Sequence, residues 1–169
     1  MKKSCLLNNK LTKTIISVFL FQIMSCSSID GEVSKLVSSM TLEEKIGQMT
    51  QVDYRYLADK SDIKKYFLGS ILSGGGSTPP TNQPSSWVEL YNGFQQEALK
   101  TRLKIPLIYG IDAVHGHNNV LGATMFPHNI GLGCMNDKAL VQEIAAATAA
   151  EVKATGLDWT FAPCVAVAQ

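Results

Sequence analysis

The residues whose types and spacing suit chemistry lie in one stretch, Ile105 to Gly133. It holds Asp112, Asn118, Asn119 and all three histidines of the chain, His115, His117 and His128. An ionised carboxylate accepts hydrogen bonds from hydroxyls or pairs with a cation, and an imidazole serves as acid, base or metal ligand. The stretch opens with an apolar run, Ile105-Pro106-Leu107-Ile108-Tyr109, that lacks polar alternation. Such a run suits a strand covered on both faces, with Pro106, which has no N–H, among its first residues. The polar cluster follows at once, after Gly110. A buried strand with polar groups at its carboxyl end is how α/β sheets and barrels build sites. Asp112 is the polar residue nearest that end and is the candidate binding residue. The plain alternative is a turn or N-cap aspartate.

The histidines admit a second chemistry. On extended backbone, residues two apart face the same way, so His115 and His117 could aim both rings at a metal. A closed metal site takes three or four ligands, and no further His–Asp constellation is present, so no metal is expected. His128, in a Phe-Pro context, reads as structural. Cys134 and Cys164 could pair in an oxidising compartment; free, buried thiols are expected. No CxxC pair supports a zinc ribbon or a thioredoxin-like motif. Gly74-Gly75-Gly76 lacks the helix start and Lys-Ser/Thr that phosphate binding needs, and reads as a flexible turn.

The elements that must position these residues begin with an apparent leader. Residues 1–26 carry Lys2, Lys3, Lys10 and Lys13 without an acid, then the short apolar segment Ile15 to Met24. That pattern is a signal peptide for export, too short for a mature membrane span. Ile23-Met24-Ser25-Cys26 also resembles a bacterial lipobox, which makes Cys26 the expected lipidation site, although Met24 fills a slot usually held by a smaller residue. An ordinary secretory signal is the alternative. Residues 27–169 are then the folded part. Ser27 to Ser34 reads as a polar tether and Lys35 to Met40 as one or two helical turns. Thr41-Leu42-Glu43-Glu44 is a capping box, followed by an apolar stripe of Leu42, Ile46 and Met49 facing a core. A short helix is expected over Ser61 to Phe67. A longer one follows a second capping box, Ser86-Trp87-Val88-Glu89, and runs to about Thr101, with Trp87, Leu90, Tyr91, Phe94 and Ala98 on its core side. Asn136 or Asp137 starts a helix over Lys138 to Ala154, with Gly156 as its C′ residue. Strands are expected at Gly69–Ser73, Ile105–Tyr109 and Leu157–Val165. Strands alternating with helices imply an α/β fold with a parallel sheet. Three strands leave open edges and an uncovered apolar face, as in the N-terminal part of a larger protein. The 46% hydrophobic content is that of a globular chain, and the formal charge of +1 gives no case for a nucleic-acid partner.

Four segments in order, Thr41 to Met49, Tyr109 to Gly116, Phe126 to Gly133 and Phe161-Ala162-Pro163, resemble glycoside hydrolase family 3, the β-glucosidases and exo-β-glucanases. The resemblance spans roughly residues 34 to 168. It implies the N-terminal part of a (β/α)8 TIM-type barrel and a retaining enzyme that removes terminal β-D-glucosyl residues; with the leader the enzyme is expected to be exported, and no cofactor is expected. Asp112 matches the family's aspartate that holds sugar hydroxyls. The resemblance also implies that the nucleophile and the acid/base lie beyond Gln169, so no catalytic residue is expected in this chain. By itself the chain is expected to be inert and prone to aggregate. Its expected partners are a β-glucoside or β-glucan oligosaccharide, the rest of the parent chain, and a membrane only through lipid on Cys26. The alternatives are a non-catalytic exported sugar-binding protein ending at Gln169, and a metal-dependent barrel hydrolase using His115 and His117.

Overall fold

The computed structural model of the chain describes residues 28–164, so the leader and Cys26 lie outside the described residues. The chain divides into two units after Ser39. The first contributes one described helix, α1 (Ile29–Ser39). It is longer than expected and replaces the tether foreseen up to Ser34. The reasons are local: the Ser28 hydroxyl accepts from Gly31 N–H at 3.2 Å, Asp30 and Glu32 sit in the first turn, and Ile29, Val33, Leu36 and Val37 recur at helical spacing.

The second unit is built on four parallel strands, β1 (Gln51–Asp53), β2 (Ser70–Ser73), β3 (Ile108–Ile111) and β4 (Trp159–Thr160), arranged in chain order. A helix precedes β1 and helices separate all later neighbours: α2 (Leu42–Gln48), α3 (Asp62–Lys65), α4 (Pro84–Ala98), α5 (Asn129–Met135) and α6 (Lys138–Ala154). Strand order never reverses among the described residues, so the topological switch point of a doubly wound sheet is absent from them. β1 was not foreseen, because three residues with one apolar side chain give no periodic signal; only backbone pairing to β2 defines it.

The register sorts side chains into two faces. Ile71, Tyr109 and Ile111 point to the helical layer and are fully buried with Ile63 of α3, Trp87, Phe94 and Ala98 of α4, and Val152 of α6. Phe94 meets Tyr109 edge-on at 5.7 Å and Tyr54 at 6.0 Å. On the opposite face Asp53, Leu72, Gly110 and Trp159 form one row across the sheet. A Cβ at Gly110 would lie 2.6 Å from the Trp159 ring, so only glycine admits that side chain. The expected strand Ile105–Tyr109 is displaced to Ile108–Ile111, since Pro106 cannot donate to the ladder. Nor is it covered on both faces: Tyr109 is fully buried, whereas Ile108 is 52% exposed.

Helix caps explain the remaining differences. The Thr41 capping box forms as expected, but Leu42, Ile46 and Met49 are all exposed. α2 docks through its other side, where Glu44 pairs with Arg102 at 2.6 Å and Gly47 lies so close to the Tyr66 carbonyl that a Cβ would clash at 2.2 Å. The second capping box does not form. α4 starts three residues earlier than that box places it, at Pro84, with Gln83 as N-cap. Proline's fixed φ suits a first helical turn, and the Ser86 hydroxyl bonds Thr81 instead. α4 ends at Ala98, short of Thr101. α6 begins after Asp137, whose carboxylate accepts from Leu140 N–H at 3.0 Å, and it gives way to Gly156 at φ +84°, both as expected. Removing the aromatic wedge between α4 and the sheet, Phe94→Ala, should destabilise the folded protein by about 3–5 kcal/mol in urea unfolding. A loss below about 1 kcal/mol would mean that this ring is not packed as described.

Candidate functional site

Parallel pairing in chain order brings the carboxyl ends of β1 to β4 to one edge of the sheet, and each end delivers a polar group there. β1 ends in Asp53, β2 in Ser73 just before Gly74, β3 leads into Asp112, and β4 ends in Thr160. Asp112 is partly buried, and its carboxylate has no hydrogen-bond partner among the described residues. Its backbone is held firmly. Its N–H donates to Ser73 O at 3.4 Å, Ala113 N–H donates to Thr160 Oγ1 at 3.1 Å, and with the Asn118 amide oriented to donate, Nδ2 reaches Asp112 O at 2.9 Å. The backbone is thus fixed from three sides, while the acid group stays available.

Asp53, which sequence reasoning missed, is the second carboxylate at this edge. Oδ2 accepts from Ser77 Oγ at 2.6 Å and from Gly74 N–H at 3.4 Å. Oδ1 accepts from Arg55 N–H at 3.0 Å and Nε at 3.2 Å, and Arg55 Nη2 donates to Oδ2 at 3.1 Å. Burial alone would raise the Asp53 carboxyl, but the bonds from Arg55, Ser77 and Gly74 outweigh it and hold the group below the usual aspartate range. Two carboxylates near one another invite comparison with the pair of a retaining glycosidase. Asp53 does not fit either role: its oxygens are committed to donors, which blunts a nucleophile, and its lowered pKa opposes service as an acid. No signal marked it, because β1 itself was unforeseen.

The glycine turn after β2 is tied down. Asp53 holds Gly74 and Ser77, Tyr54 Oη donates to Thr78 O at 2.6 Å, and Ser77 is fully buried. Below it Ser73 Oγ and Tyr109 Oη are 2.7 Å apart, and burial raises the Tyr109 hydroxyl far above its ordinary range.

The two histidines of the HxH pair diverge. His115 Nδ1 lies 2.9 Å from Phe126 O. A carbonyl only accepts, so Nδ1 carries the proton there. The His115 ring packs on His128 at 4.1 Å, beside a groove that also meets Leu132, Val141 and Cys164. The intervening Gly116, at φ +99°, allows this fold-back, since a Cβ there would meet Thr124 O at 2.1 Å. His117 turns into the helical layer, 1% exposed, with Nε2 2.8 Å from Thr155 Oγ1 and its ring 6.2 Å from Trp87. Thr155 Oγ1 already donates to Val152 O at 2.8 Å. The hydroxyl hydrogen is spent, so it accepts from Nε2–H, and the buried Nδ1 keeps a bare lone pair without a partner among the described residues. Among the described residues, no three His, Cys, Asp or Glu side chains are grouped to hold a metal. Cys134 and Cys164 are unbridged, but both are exposed and not buried as expected: Cys134 sits on the short α5, Cys164 beyond the end of β4.

Comparison with known proteins adds the following. The sequence profile described as "Glycosyl hydrolase family 3 N terminal domain" matches residues 41–169. A lysosomal beta glucosidase of Dictyostelium discoideum is 37% identical over 159 residues, covering 83% of this chain and 19% of that protein. A periplasmic beta-glucosidase of Salmonella typhimurium is 31% identical over 144 residues, covering 83% of this chain and 17% of that protein. Among solved structures, an exo-1,3/1,4-beta-glucanase from a Pseudoalteromonas species superposes with a TM-score of 0.76 at 42% identity, over 84% of this chain and 18% of that one. The chain therefore spans about a fifth of the length of these relatives.

His117 yields a prediction for stability. Burial pushes it down to about 4, against a smaller opposing pull from Glu151. The unfolded chain, with an ordinary value of about 6.5, then binds the proton more readily than the folded one. Stability from this residue is complete above that value and is lost as pH falls toward 4, by on the order of 3 kcal/mol. His117→Gln keeps a donor for Thr155 without titrating, so urea unfolding between those pH values should lose most of this slope. An unchanged slope would exclude His117 as its source.

Proposed function

Because the chain belongs to glycosyl hydrolase family 3 through that family's N-terminal domain, we propose that it is part of a longer exported, retaining β-glucosidase. In this reading the whole protein removes β-D-glucosyl residues from the non-reducing ends of glucosides or oligosaccharides. The four parallel strands are the first of a (β/α)8 barrel that further chain closes. That closure would cover the row of Asp53, Leu72, Gly110 and Trp159 together with the exposed Ile108. The basic, then apolar, start serves export, with lipid on Cys26 as the anchor.

One observation carries the reading: the Asp112 carboxylate stands open at the carboxyl edge of the sheet, in the motif Tyr109 to Gly116, while its backbone is fixed from three sides. Asp112 holds hydroxyls of the terminal sugar. An ionised carboxylate accepts from two sugar hydroxyls, each charge-assisted bond contributing about 1.5–3 kcal/mol, and fixing the ring orients the anomeric carbon. Retention needs two further carboxyl groups about 5–5.5 Å apart, one nucleophile and one acid/base. Asp53 is unfit for either, and we place both beyond Gln169. On this reading the chain taken alone cleaves nothing.

Asp112→Asn in the intact parent protein should lower kcat/KM for an aryl β-glucoside by about 10²-fold with the melting temperature held within a few degrees. Unchanged kinetics would remove Asp112 from the sugar pocket. Stoichiometric zinc in the purified protein would favour a metal-dependent hydrolase instead.

A further inference from the structure

We propose that Asp53 is a positioning residue: it locks the loop Gly74–Ser77 against Asp112, so that loop backbone and carboxylate together form one wall of the sugar pocket. The inference rests on the reading of Asp112 as the sugar-holding acid.

Three observations carry it. First, the Asp53 carboxylate grips both ends of the loop, Gly74 N–H at 3.4 Å and Ser77 Oγ at 2.6 Å. Ser77 N–H in turn donates to Gly74 O at 2.9 Å, which closes the turn on itself. Tyr54, the next residue, holds Thr78 O. Second, Gly74 is the spacer between the two acids. A Cβ built there would lie 3.4 Å from Asp53 Oδ2 and 3.9 Å from Asp112 Oδ2. Any shift of the loop therefore alters the surface immediately beside Asp112. Third, Gly75 and Gly76 are exposed, and an added Cβ on either would meet nothing within 4 Å. Gly76 needs its φ of +81°, but no contact among the described residues demands a bare backbone at Gly75. The bare surface they leave is what a sugar held by Asp112 would lie against.

Arg55 separates loop anchoring from simple charge pairing. It binds the same carboxylate from the solvent side, with its own side chain 47% exposed, and touches neither Gly74 nor Ser77 through any of its bonds to Asp53. Losing Arg55 leaves the loop contacts in place, whereas losing the Asp53 charge or the Ser77 hydroxyl loosens the loop.

The test uses the full-length parent protein, an aryl β-glucoside as substrate and D-glucose as competitive product. Asp53→Asn should raise KM and the glucose Ki together by about tenfold, with kcat within about threefold of wild type. Ser77→Ala, a milder change that also serves if Asp53→Asn does not fold, should move KM and Ki in the same direction. Arg55→Ala should leave both within about twofold. Unchanged KM and Ki in Ser77→Ala and Asp53→Asn would overturn the proposal. So would a fall in kcat and melting temperature with KM constant, which marks a purely structural role, or an Arg55→Ala effect equal to that of Asp53→Asn. A wild type inactive on β-glucosides, or an Asp112→Asn variant with wild-type kinetics, sinks the underlying functional reading. Sensitivity at Asp112 with indifference at Asp53 and Ser77 sinks only this inference.

Discussion

The constraint on which the second unit depends is parallel pairing of consecutive strands. Parallel strands joined by helices must all end on the same edge. Four chain segments, far apart in the sequence, therefore present their carboxyl ends side by side. Asp53, Gly74, Asp112 and Thr160 meet for that reason and no other. The helical layer makes the pairing stable by burying Ile71, Tyr109 and Ile111 against α3, α4 and α6. The opposite face carries the row in which Gly110 makes way for Trp159.

The polar groups near this edge divide by whether their hydrogen-bonding capacity is spent. Asp53, Ser77 and Thr160 are engaged with backbone or side-chain partners, and they hold loops. Asp112 has its backbone engaged and, among the described residues, no partner on its carboxylate. A residue of that kind is held rigid by its backbone while its side chain stays available, which is why the proposed reading gives it the sugar. His115 and His117 show why spacing alone misleads. A two-residue interval aligns side chains only on extended backbone, and a positive φ at Gly116 reverses the chain between them. One ring therefore stacks on His128 and the other goes under the loop to Thr155.

Much of the architecture was legible in the chain. The alternation of helices and strands, the α4 core face, the Asp137 cap, the Gly156 terminus and the first capping box follow from local patterns that survive folding. The errors share a cause. The stripe Leu42, Ile46 and Met49 has the period of a packed helix, yet α2 docks through Glu44 and Gly47, because a glycine admits closer backbone approach than any apolar side chain could. Ser86 lies inside α4, because Pro84 starts the helix and Gln83 takes the N-cap position. β1 carries no pattern at all, being defined by the neighbour it pairs with, and Asp53 was hidden along with it.

The sequence by itself determined the family and the class of fold, because motifs and hydrophobic periods are written in nearest neighbours along the chain. It also singled out Asp112, since an acid directly after an apolar strand is visible in one dimension. Only the tertiary structure decided which carboxylate is free and which is bound, which histidine is buried, and what the glycine turn rests on. Each of these depends on partners distant along the chain, and a hydrogen bond between such residues exists only once the strands have been laid side by side.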